Sequence, residues 1–160
     1  MKRVLCATYE GIEAKVVQVE STLTKGLPSF SVVGMASASI NEAKERVKSA
    51  LLSNEFIFPP KRITINLAPS DLKKEGSQFD LSIALLIALD TLKEDLSEWF
   101  VFGELGLDGA IKENLQLYAL LLSLSNQKII KKAVVPYESL EKLSNIPNVD
   151  FYGVKTLDEA

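Results

Sequence analysis

Residues 79–89 leave few folds open, because the segment has no polar face. Phe79, Leu81, Ile83, Ala84, Leu85, Leu86, Ile87, Ala88 and Leu89 surround just two polar positions, Asp80 and Ser82. A helix that is apolar nearly all round is stable when it is covered on most sides. The rest of the chain must therefore wrap it. With 160 residues the chain suits one domain, and such a domain buries roughly two thirds of its unfolded surface. Asp80 falls in the first turn of this helix, where a carboxylate favours the positive end of the helix dipole.

The covering elements are legible in the pattern. Residues 3–9 and 12–20 read as two strands around Glu10-Gly11, with Ile12, Ala14 and Val16 alternating with Glu13 and Lys15. Residues 30–33 form a β-branched strand ended by Gly34. A helix is expected over 39–53, with Ile40, Ala43, Val47, Ala50 and Leu51 on one stripe. Ser37 or Ser39 is its candidate N-cap, with Glu42 near the position that completes a capping box, and Pro59-Pro60 bars continuation. Residues 62–67 form a strand with Ile63, Ile65 and Leu67 on one face, followed by a polar loop over 69–78. Residues 99–103 form a buried strand, and 103–111 a strand pair turning at Asp108-Gly109. A helix over 115–125, a strand over 133–135, a short helix over 137–144 and a strand over 149–152 follow, and Thr156 caps a terminal helix. Strands and helices mix without strict alternation, so the expected fold is α/β around a mixed sheet, not a doubly wound parallel one.

Composition removes several chemistries. There is no histidine, so Ser-His-Asp and Cys-His catalysis cannot be assembled within the chain. Cys6 is the single cysteine, which excludes an intramolecular disulfide and a thiolate zinc cluster; it reads as a buried thiol. No G-x-x-x-x-G-K-[ST] phosphate loop occurs. No apolar run reaches the roughly 18–20 residues that span a bilayer, and no signal-peptide core follows Met1-Lys2-Arg3, so a cytoplasmic location with no membrane partner is expected. The net charge of −3 argues against a strongly basic nucleic-acid domain. Between Glu42 and Glu75, however, seven basic residues face five acids. Lys44, Lys48, Lys61, Arg62, Lys73 and Lys74 are the candidate nucleic-acid or phosphate contacts. Asp71, Glu75 and Asp80 are the carboxylates a hard cation would take, but turn and helix-start roles explain them better, so no metal site is assigned. Glu104, in an apolar stretch, calls for a structural ion pair with Arg62 or Arg46.

Four blocks carry a resemblance. Val33-Gly34-Met35-Ala36-Ser37 leads into Asn41-Glu42-Ala43-Lys44-Glu45-Arg46-Val47-Lys48-Ser49-Ala50-Leu51. The run from Phe58-Pro59-Pro60-Lys61-Arg62-Ile63-Thr64-Ile65-Asn66-Leu67-Ala68-Pro69 to Lys74-Glu75-Gly76 comes next. Phe79-Asp80-Leu81-Ser82-Ile83-Ala84-Leu85 and Gly103-Glu104-Leu105-Gly106-Leu107-Asp108-Gly109 complete the set. In order and spacing these resemble the Mg-chelatase-related AAA+ ATPase family known as YifB or ComM, over nearly the whole chain. Two loops depart from the family pattern: 35–37 lacks its Pro and Asp, and 113–116 replaces a Pro-Val-x-Gly segment.

The resemblance implies a Lon-protease-like fold, of the type shared with the second domain of ribosomal protein S5. It implies that residues 1–160 are one N-terminal domain, with the AAA+ ATPase and C-terminal domains of the family lying outside this chain. ATP and Mg are then expected of the missing motor and not of this domain. The expected partners are the chain's own AAA+ module, neighbouring subunits of a hexamer, and DNA, since ComM-type members are branch-migration helicases of natural transformation. Lon-type peptidases use a Ser-Lys dyad in which a desolvated lysine serves as base. Their serine position falls here on Gln78 and their lysine on Tyr118, so no catalytic or cofactor-binding residue is expected. The alternative is a peptidase with a displaced dyad, Ser77–Lys112 or Ser70–Lys74.

Overall fold

The computed structural model describes residues 1–91 and 93–157. A seven-stranded sheet organises it, in the order β3-β4-β2-β1-β5-β8-β9. The strands are β1 (Lys2–Glu10), β2 (Glu13–Thr24), β3 (Ser29–Val33), β4 (Arg62–Ala68), β5 (Phe100–Val101), β8 (Lys132–Pro136) and β9 (Asp150–Val154). β2 runs antiparallel to both neighbours, β1 and β4, whereas β3–β4, β1–β5, β5–β8 and β8–β9 are parallel. This is the mixed α/β sheet expected. A separate ribbon, β6 (Glu104–Leu105) with β7 (Ile111–Lys112), turns at Asp108-Gly109. Gly109 has φ +90°, and a Cβ there would collide with the Asn54 side chain.

Both faces of the central strands are covered. Cys6, Ala7 and Thr8 are buried in succession, and successive residues of a strand point to opposite faces. Helices α2 (Ala43–Ser53) and α3 (Asp80–Ala88) pack on one side, and α4 (Leu117–Asn126) packs against β1 and β2 on the other. β2 therefore does not keep the single inward register expected of it. Ala14 and Val17 are both buried, and Ile12 lies in the turn, 97% exposed. The helix expected over 39–53 is split at Glu42 into α1 (Ala38–Asn41) and α2, though its stripe of Ile40, Ala43, Val47, Ala50 and Leu51 is buried throughout. The capping box does not form. Ser37 occupies the N-cap without a side-chain cap, its hydroxyl instead meeting that of Ser39 at 2.7 Å, and Glu42 reaches Arg46 at 3.9 Å. Leu115, expected in the fourth helix, precedes it and is fully exposed. Residues 137–143 form a 3-10 turn, Tyr137–Ser139, and the short α5, Leu140–Leu143. Thr156 instead bridges Ala110, and the body of the expected terminal helix falls outside the described residues.

Every residue of α3 from Asp80 to Ile87 is buried. Burying one Leu or Ile side chain contributes about 1.5–3 kcal/mol, so this single helix supplies a large share of the core. Truncating its centre leaves a void the packed surroundings cannot close. We expect Leu86→Ala to lose roughly 2–5 kcal/mol of stability, measured by urea unfolding, whereas Leu52→Ala, on an exposed position, changes stability by less than about 0.5 kcal/mol.

Candidate functional site

The buried helix brings a charge inside with it. Asp80 is completely buried at the start of α3, and its carboxylate receives a two-pronged bond from Arg46 of α2: Nε to Oδ2 at 2.7 Å and Nη2 to Oδ1 at 3.0 Å. The Leu105 backbone N–H adds a third bond to Oδ2 at 3.1 Å. Burial raises the Asp80 pKa above its ordinary value, while Arg46 and the Leu105 N–H pull against it; the same hydrogen bond raises the pKa of Arg46. The expected ion pair at Glu104 is therefore corrected. Arg46 takes Asp80, Arg62 is exposed on β4, and Glu104 acts on the pair as a nearby charge. A signal was available: Arg46 lies between Ala43 and Ala50 on the buried stripe of its helix, where a guanidinium needs a partner.

Gln78 stands just before α3, where the resemblance puts the Lon-type serine, and it is 1% exposed. Its Nε2 donates to the carbonyls of Ala7 (3.0 Å) and Glu75 (2.8 Å), and its Oε1 accepts from Asn114 Nδ2 (3.0 Å). The Gly103 N–H donates to the Gln78 carbonyl at 3.1 Å. Asn114 Nδ2 also lies 3.4 Å from the Ser77 hydroxyl. Tyr118, where the resemblance puts the lysine, is partly exposed and lines a cleft with Glu104, Glu113, Asn114, Leu115 and Lys142. Gln78 thus fastens β1, the loop before α3 and the segment before α4 to one another, and neither its amide nor the Tyr118 phenol reproduces a serine–lysine pair. Asn114, in one of the two divergent loops, was not singled out by the sequence, because its role depends on Gln78, which lies 36 residues away.

Lys74 is the sharpest departure from expectation. Its side chain was assigned to a solvated loop and to phosphate contact, yet the residue is 0% exposed. Nζ donates to the Gly34 carbonyl at 2.6 Å and to the Pro69 carbonyl. Its backbone clasps the same loop: the Lys74 N–H donates to Met35 O and the Ser37 N–H to Lys74 O, each at 3.1 Å. Gly34 has φ +103°, and a Cβ there would meet the Leu67 backbone, which is why the chain turns off β3 at a glycine. Burial lowers the Lys74 pKa, opposed by the charge of Asp71. Neither displaced dyad forms. Ser70 is exposed while Lys74 bonds carbonyls, and Ser77 bonds Asn114 while Lys112 is exposed.

The other basic sequence candidates stay at the surface. Lys73 is exposed and pairs with Glu75 at 3.2 Å. Lys44 is half-buried, and Lys48, Lys61 and Arg62 are exposed, with Lys48 Nζ 5.5 Å from the centre of the Phe58 ring. Of the six candidates burial removes Lys74 alone, since the exposed Lys73–Glu75 pair leaves its lysine open to solvent. Asp71, Glu75 and Asp80 do not converge, and among the described residues no three His, Cys, Asp or Glu side chains are grouped to hold a metal ion. Cys6 is fully buried with its thiol toward the Gln78 carbonyl at 3.6 Å, and burial pushes its pKa up to about 12. None of the described helices is long and apolar enough to cross a membrane.

The family model described as subunit ChlI of Mg-chelatase matches residues 19–139, from the middle of β2 to the end of the 3-10 turn, and so takes in Lys74, Gln78, Asp80 and Asn114. The chain belongs to the ChlI family. Competence protein ComM of Haemophilus influenzae is 35% identical over 150 residues, covering 92% of this chain and 29% of that protein. A protein named YifB from Escherichia coli is 44% identical over 105 residues, covering 64% of this chain and 21% of that protein. A Mycobacterium tuberculosis relative is 29% identical over 160 residues, covering 98% of this chain and 32% of its own length. This ChlI-family chain therefore spans less than a third of the curated relatives it matches.

Two outcomes follow from the buried groups. Arg46→Met leaves Asp80 without its cation and should cost roughly 3–5 kcal/mol at neutral pH. Because the folded Asp80 pKa is raised, protonation at acid pH removes the orphaned charge. The penalty, read by urea unfolding of variant and parent, should therefore shrink as pH falls through the carboxylate range and be largest above it. Cys6 should resist a thiol reagent such as Ellman's in the native state and react at the rate of global unfolding.

Proposed function

We propose that this ChlI-family chain is a non-catalytic accessory domain of a Mg-chelatase-like AAA+ ATPase, with a Lon-like framework that serves assembly and substrate engagement. The observation that carries the reading is Gln78. Where a Lon-type nucleophile would stand, a buried amide is consumed in three hydrogen bonds that hold the fold together. The buried lysine, Lys74, adds to it, since its protons go to backbone carbonyls and not to a hydroxyl. A general base must reach the proton it takes, and these geometries do not offer that reach.

In this reading the whole protein is cytoplasmic and longer than residues 1–160, binds ATP and Mg in its motor, and assembles as a ring such as a hexamer. The name of the Haemophilus relative, a competence protein, supports a role in competence, and the process we assign within it is DNA processing by branch migration of joined strands in natural transformation. Direct DNA contact is a minor role of this portion. Lys74 is buried, and Lys44, Lys48, Lys61, Arg62 and Lys73 would touch phosphates, without reading bases. Such binding is lost steeply with salt.

The test uses the purified chain with unfolded casein, with ATP, and with a fluorophosphonate probe followed by mass measurement. No cleavage, no ATP hydrolysis and no covalent adduct are expected. An adduct on Ser77 or Ser70 would revive the displaced-dyad peptidase and overturn the accessory reading.

A further inference from the structure

Beyond the accessory role, β3 carries a feature nothing else in the chain uses. It is the last strand of the sheet, and among the described residues no strand lies outside it. Its pairing to β4 is parallel, Ser29 against Arg62, with the Ser29 N–H donating to the Lys61 carbonyl at 3.3 Å. Hydrogen bonds in a parallel pair use alternate residues. Ser29, Ser31 and Val33 therefore bond inward to β4, and Phe30 and Val32 direct their N–H and C=O groups away from the sheet. Natural edge strands are usually blunted by a charge, a proline or a bulge. Residues 29–33, Ser-Phe-Ser-Val-Val, contain no charge and no proline, and they pair with β4 in unbroken register.

The surroundings select what fits. A pocket of about 340 Å³ opens beside the start of β3, lined by Phe30, Phe58, Pro59, Lys48 and Lys61 among others. The Phe30 and Phe58 ring centres lie 5.8 Å apart in this lining, which also carries the exposed cations Lys48 and Lys61. Val33, the last residue of β3 and on the face opposite Phe30 and Val32, is 47% exposed, and Met35 beyond the strand is 53% exposed.

We propose that β3 is a docking edge for an extended segment of a partner protein, which adds to the sheet as an eighth strand, sets an apolar side chain in the Phe30–Phe58 pocket, and pairs acidic side chains with Lys48 and Lys61. The outward backbone groups favour a polypeptide over a nucleic acid, because a phosphate backbone has no N–H and C=O ladder to match them.

The probe is a fluorescein-labelled peptide repeating Thr-Val-Thr-Glu, whose threonines line one face while valine and glutamate alternate along the other. Anisotropy should report binding, and hydrogen exchange should show new protection of the Phe30 and Val32 amides. Val32→Pro removes an outward N–H while leaving the bonds to β4, and should weaken binding about tenfold. Should that variant fold poorly, Lys48→Glu with Lys61→Glu carries the test: it should lose the acidic peptide and gain its Thr-Val-Thr-Lys counterpart. No binding, binding indifferent to charge reversal, or protection at β9 in place of β3 would overturn the proposal. So would peptide binding that protects neither the Phe30 nor the Val32 amide, which would leave Lys48 and Lys61 as a charge-only site.

Discussion

A helix without a polar face persists only where protein covers it all round, and α3 places that demand on everything near it. The sheet lies against one flank and α2 against another. The cost of this burial is concentrated at Asp80, the charge at the start of the helix. Taking a carboxylate out of water is unfavourable by far more than a surface ion pair returns. Arg46 and the Leu105 N–H restore part of the lost solvation. That one cluster joins α2, α3 and the β6–β7 ribbon, so the positions of three elements depend on a single carboxylate.

The residues around it follow the same logic. Gln78 is held by β1, by its own loop and by Asn114; Lys74 is held by the loops that leave β3 and β4. Both are polar groups committed to internal bonds, and a group so committed is poorly placed to attack, protonate or coordinate anything that arrives from solvent. The polar interior of this ChlI-family chain thus reads as reinforcement. What remains open to partners is the outside: the edge of β3, the reduced basic face, and the cleft beside Tyr118.

Much of this was legible in the sequence because it rests on local periodicity. The buried stripe of α2, the alternation of Ile63, Ile65 and Leu67, and the all-round burial of α3 follow from spacing alone. What was not legible rests on contacts between distant positions. Lys74 sits among Asp71, Lys73 and Glu75, a composition typical of a solvated loop, and its burial is decided by a carbonyl 40 residues earlier. Glu104 calls for Arg62 or Arg46 because it stands in an apolar stretch, and spacing cannot say that Arg46 reaches Asp80 instead. Ile12 was placed on a buried face by extending the alternation one residue into a turn. The identities of the residues at the expected dyad positions were readable, and the bonding that makes Gln78 structural was not.

The central claim, that Gln78 is a fixed structural amide at the position where the resemblance puts a Lon-type serine, is open to direct measurement by NMR. The exchange of its two side-chain amide protons with solvent reads their hydrogen bonds to Ala7 and Glu75. Two well-separated resonances that exchange orders of magnitude more slowly than those of an exposed glutamine are the expected result. A Gln78 amide exchanging as fast as free glutamine would mean an open, mobile side chain, and would contradict the account.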